Sequence, residues 1–161
     1  MHPQIEVLFD EAENRYLKPE ELNLISQYVT SLPARLEAYR AIRDQELAIM
    51  QQVADQLQAA MPQEKVEQLE RCIKNAMLML RYCAMGMLLH DPSFVKDRFV
   101  GWVSNSVVAF NTQEIDTLLY HLLNQQLTTS LDPKHLSLLQ PQLNLAQGLL
   151  QQQQQQQAVT V

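Results

Sequence analysis

Cys72, Lys74 and Asn75 place a nucleophilic thiol, a cation and a hydrogen-bonding carboxamide within four consecutive positions. A group that attaches covalently, a charge that holds an anionic arm and an amide that accepts or donates are together enough to bind one ligand. The alternative reading of Cys72 is a small, semi-buried side chain on an amphipathic helix. Cys83 stands eleven positions further on, about 16 Å along a helix axis, too far for the two sulfurs to bond. It reads as core. His90 and His121 lie in no ligand motif, so haem ligation is not expected. The chain has no His-Glu-x-x-His, no paired Cys-x-x-Cys, no repeated Glu-x-x-His, no glycine-rich phosphate loop and no serine elbow, so neither a metal site nor an enzyme is expected.

These residues sit at the start of a run, Arg71 to Leu89, that turns almost wholly apolar. It predicts the central helix of a helical domain. Its apolar part falls below the roughly 18 to 20 residues of a membrane span, and Arg81 interrupts it. A charge in such a place needs a partner or an exit to solvent, and Asp91 or Asp97 is expected to supply the partner. Tyr82 and Tyr16 read as packing groups whose hydroxyls are satisfied.

Around that helix the pattern is helical throughout. The 161 residues suit one domain with a core of its own. Three glycines and few alternating runs leave little room for a sheet. A net charge of −6 offers no basic stripe for nucleic acid. Two cysteines with no apolar leader suggest a reducing, cytoplasmic compartment.

Ile5, Leu8, Phe9 and Ala12 predict a helix over residues 4–14. Pro19, followed by Glu20 and Glu21, predicts a second one, with Leu22, Ile25, Ser26 and Val29 facing inward. Ser31-Leu32-Pro33 is expected to break the chain before a long helix to Ala60. A short linker at Met61-Pro62-Gln63 then requires the long helix and the central helix to pack antiparallel.

Asp91-Pro92 reads as N-cap and N1 of a helix over about 93–109, and Asn111 to Glu114 as a capping box for the next. Asp132-Pro133 opens the last helix. Gln151 to Gln157 form a low-complexity, solvated tail that prolongs this helix or frays. The expectation is about seven helices.

The order of certain residues resembles the phycobiliprotein subunits of phycobilisomes, including phycocyanin and allophycocyanin. Ala12-Glu13-Asn14-Arg15-Tyr16-Leu17 followed by Glu21-Leu22 resembles their opening. Cys72, then Leu80-Arg81-Tyr82, then Asp91, is similar to the segment bearing the pigment-attachment cysteine. Asp97-Arg98 followed by Gly101 resembles the next helix.

The resemblance implies an all-α, globin-like helical domain over residues 32–150, preceded by a subunit-pairing helical hairpin over 1–31 and followed by the tail at 151–161. It implies that Glu13, Arg15 and Tyr16 belong to a subunit interface, and that Arg81, Tyr82, Asp91, Asp97 and Arg98 are structural. It further implies oligomers with similar subunits, a place in cyanobacterial light harvesting at the thylakoid surface, and a linear tetrapyrrole such as phycocyanobilin joined to Cys72 with the help of a lyase.

Lys74 stands where the family has an arginine on a pigment propionate, which loses the bidentate fork. Asn75 stands where the family has an aspartate beneath the pyrrole nitrogens, which loses the negative charge. Glu67 and Gln68 replace upstream basic residues, and the linker after Met61 is shorter than the family's loop. The resemblance therefore implies a divergent subunit in which the bilin at Cys72 is either absent or bound differently. The alternatives are a pigment-free protein docking onto antenna proteins or their assembly factors, and a bilin carrier or chaperone.

Overall fold

The computed structural model describes residues 2–106 and 112–159, with the side chains at 102–106 and 157–159 left aside. Expectations that fall on Ala109, Phe110 and Asn111 lie outside the described residues. Within them are six helices and no strand: α1 (Pro3–Ala12), α2 (Pro19–Ala60), α3 (Val66–Leu89), α4 (Pro92–Ser106), α5 (Gln113–Ser130) and α6 (Pro133–Val159).

Local chemistry sets most of the boundaries. Glu21 accepts from the Lys18 N–H at 2.7 Å, holding the start of α2, and Glu20 and Glu21 sit at its positive end. Asp91 accepts from the Ser93 N–H at 2.9 Å and from its hydroxyl at 2.6 Å, which caps α4 ahead of Pro92. Asp132 does the same for α6 through the Lys134 N–H at 2.8 Å. The glutamines prolong α6, which runs on to Val159.

The expected break at Ser31-Leu32-Pro33 does not occur. α2 is one helix of 42 residues with Pro33 in its interior. A proline there costs a hydrogen bond and a clash with the preceding turn, worth about 3 kcal/mol. Contacts on both sides of it offset that cost. The Tyr28 hydroxyl donates to the Leu89 carbonyl at 3.2 Å, and Arg35 donates to the Leu88 carbonyl, so both halves of α2 are tied to one end of α3.

Those contacts, with Arg81 on Glu46 further along, pair rising numbers on α2 with falling numbers on α3. The two long helices are therefore antiparallel, joined by the short turn after Met61. α3 packs against α2, α4, α5 and α6, whereas α1 packs on α2 alone. By length and apolarity α3 passes as a membrane span, but Met79, Leu80, Cys83 and Met87 are buried inside the bundle. Gly86 lets α4 and α6 approach. A Cβ there would meet Val95 Cγ2 at 2.9 Å and Gln142 Oε1 at 3.0 Å.

Two expectations about facing are corrected. Phe9, Leu22 and Val29 point to solvent, at 53%, 53% and 57% exposure, because only α2 lies beneath α1. Arg81 is not held by Asp91 or Asp97. Its side chain leaves the core and forms a two-point pair with Glu46, Nε to Oε1 at 2.8 Å and Nη2 to Oε2 at 2.9 Å.

Candidate functional site

Cys72 lies on the inward face of α3, 1% exposed. Opposite it, α5 brings the Asp116 carboxyl close enough to act on the sulfur. Asp116 is itself buried and accepts from the Thr112 hydroxyl at 2.7 Å, one helical turn back. Burial pushes the Cys72 thiol up to about 12, and the Asp116 carboxylate adds to this. Burial likewise raises Asp116, and Thr112 and Cys72 only partly offset the rise. At neutral pH the thiol is therefore the favoured form. The sulfur is a packed group rather than a nucleophile.

Lys74 is two positions on, and positions two apart on a helix face away from each other. It is exposed while Cys72 is buried, and Asn75 is half-buried. The structure thus brings Cys72 together with Asp116 and Thr112 and not with Lys74. A thioether-linked tetrapyrrole needs a sulfur that it can reach, and here the bundle closes over Cys72. The residues present do not fit that group.

The other candidates are placed as follows. Arg15 is gripped by Glu21 at 2.7 and 2.9 Å and by Glu11 at 3.2 Å. The Arg15 guanidinium holds the Glu21 carboxyl at about 2, well below the usual carboxylate range, with the Lys18 N–H assisting. Glu13 is exposed, and the acids on Arg15 are its neighbours. Tyr16 is 99% exposed, so its ring packs on nothing within the chain.

Tyr82 meets Phe94 edge-on at 6.4 Å, and the Arg98 guanidinium lies over the same Phe94 ring at 5.2 Å. Asp91 caps α4, and Asp97 is exposed.

Along the hairpin that includes Arg15 several large apolar side chains are exposed. Val7, Phe9, Tyr16, Leu22, Leu24 and Val29 are six of the nine large apolar side chains left exposed among the described residues. All six lie on α1, the turn or the first third of α2. Scattered exposed apolar residues are ordinary, but a concentration in one hairpin is the mark of an interaction surface.

Sequence reasoning missed Asp116 and Arg35. Both stand on inward stripes: Asp116 between Ile115 and Leu119, and Arg35 ahead of Ala38 and Ile42, all buried. A charged residue in register with a core stripe was the available signal.

Residues 8–155 match the model of a family described as Phycobilisome protein, which covers most of the chain. No curated protein matches it.

Proposed function

The chain belongs to the phycobilisome protein family, and from that premise we propose that this light-harvesting-related subunit acts by protein contact, free of pigment. It shares the family's globin-like all-α fold. Its work is to pair with antenna subunits or their assembly factors through residues 1–31, at the thylakoid surface on the cytoplasmic side, and it performs no chemical turnover.

The observation that carries this reading is the apolar cluster on α1 and the start of α2, held in shape by Arg15, Glu11 and Glu21. The sealed Cys72 supports the pigment-free half of it. Although α2 continues through Pro33, Leu22, Leu24 and Val29 in the segment before it are exposed, which leaves an outer face for a partner.

A Phe9→Glu, Val29→Glu double variant tests the pairing. Both side chains are more than half exposed, so helix content by circular dichroism stays unchanged. The wild-type protein sediments as a complex with antenna subunits, and the variant sediments alone. A wild-type chain that stays monomeric beside every antenna subunit tried contradicts the reading.

A further inference from the structure

Arg35 is the largest of the fully buried side chains, 1% exposed, and its charge meets no carboxylate among the described residues. Its hydrogen bonds go to neutral oxygens: the Leu88 carbonyl, the Tyr28 carbonyl at 2.9 Å and the Ser31 hydroxyl at 3.2 Å. Its Nε is buried with no acceptor at all. The carbonyls at the end of α3 and the Tyr28 ring, 4.6 Å from the guanidinium carbon, soften the charge. Neither supplies a counter-ion.

Tyr28 and Ser31, the two α2 residues it holds, also line an open cleft of about 330 Å³ between α1, α2 and the turn after α3. At its edge the His2 and His90 rings stack, 5.1 Å apart and 16° from parallel. Gln27 adds an amide, and Ile5 and Leu24 add apolar wall. Among the described residues no acid lines this cleft. The acid adjacent in sequence, Asp91, is turned to the cap of α4. Burial, then Arg35, then His2 lower the His90 pKa.

We propose that this cleft binds a small organic carboxylate. Its anionic end sits by the stacked imidazoles, with the sealed Arg35 guanidinium behind Tyr28 and Ser31, and its apolar body lies against Ile5 and Leu24. An anion there offsets the buried guanidinium and permits either imidazole to take a proton, so binding tightens as pH falls through the histidine range. The site is separate from Cys72, shares Leu24 with the exposed apolar residues of the hairpin, and stands whether or not the chain carries pigment.

The test follows the His2 and His90 imidazole signals by NMR on the full chain while propionate is added, with chloride and inorganic phosphate added separately at matched ionic strength. Propionate is expected to move both signals saturably and to raise their titration midpoints, with phosphate at least tenfold weaker and chloride inert. Gln27 is exposed, so Gln27→Glu leaves the fold intact and sets a carboxylate in the cleft. It should weaken propionate at least tenfold. Wild type and Q27E titrating alike, or chloride matching propionate, overturns the site. Phosphate binding as tightly as propionate overturns the carboxylate assignment.

Discussion

At Cys72 burial and the Asp116 carboxyl favour the neutral thiol and outweigh the Thr112 hydroxyl and Arg71, which act the other way. The linkage has a definite sign at Asp116. Its folded pKa is raised above the ordinary 3.8, so the fold disfavours the charged form. Stability is unaffected below that value and falls as pH rises through the window between the unfolded and folded pKa.

Asp116→Asn keeps an acceptor for Thr112 and removes the charge. We therefore expect its melting temperature to exceed that of wild type at pH 7 and to converge with it near pH 4. A difference independent of pH would contradict the raised Asp116. None of this was legible from residues 72–75. Four adjacent positions give the types present on a helix, but only the helix packed opposite decides which of them share an environment.

Proline and glycine are the informative residues among the elements. From sequence, Pro33 is a helix breaker; in the fold the Tyr28 and Arg35 bonds to the end of α3 hold the helix together across it. Those contacts couple positions more than fifty residues apart, which no local pattern reveals. Pro33→Ala is expected to stabilise the protein by about 1 to 2 kcal/mol in urea unfolding, since a helix-compatible N–H replaces the proline clash. Destabilisation would mean that the chain needs the proline's geometry.

Gly86 is the opposite case, a residue helices disfavour that this helix requires. Gly86→Ala should cost about 1 to 3 kcal/mol. Adding Val95→Ala should recover part of it, because Val95 Cγ2 makes the closest approach at 2.9 Å. Additive losses would place the strain elsewhere. The caps at Asp91 and Asp132 and the antiparallel long helices were readable because their causes are local: an acid, a proline and a short linker.

For the molecule as a whole, periodicity and composition suffice for an all-α body, and the residue order suffices for the family. They do not suffice for which faces are covered. Leu22 and Val29 have the spacing of a core stripe and lie in solvent, because a surface built for a partner carries the same apolar pattern as one built for the chain's own interior. Arg15 and its two acids hold the turn from which that surface projects.

The family's scaffold thus persists here around a buried cysteine, and the proposal is that its pairing surface persists without the pigment. The measurement that bears most directly on this is covalent pigment retention. The protein is co-expressed with bilin-producing enzymes and several lyases, denatured in acidic urea and examined for zinc-enhanced fluorescence on the chain. The account predicts no fluorescence above that of Cys72→Ala. A bright wild-type band that disappears in Cys72→Ala would contradict it.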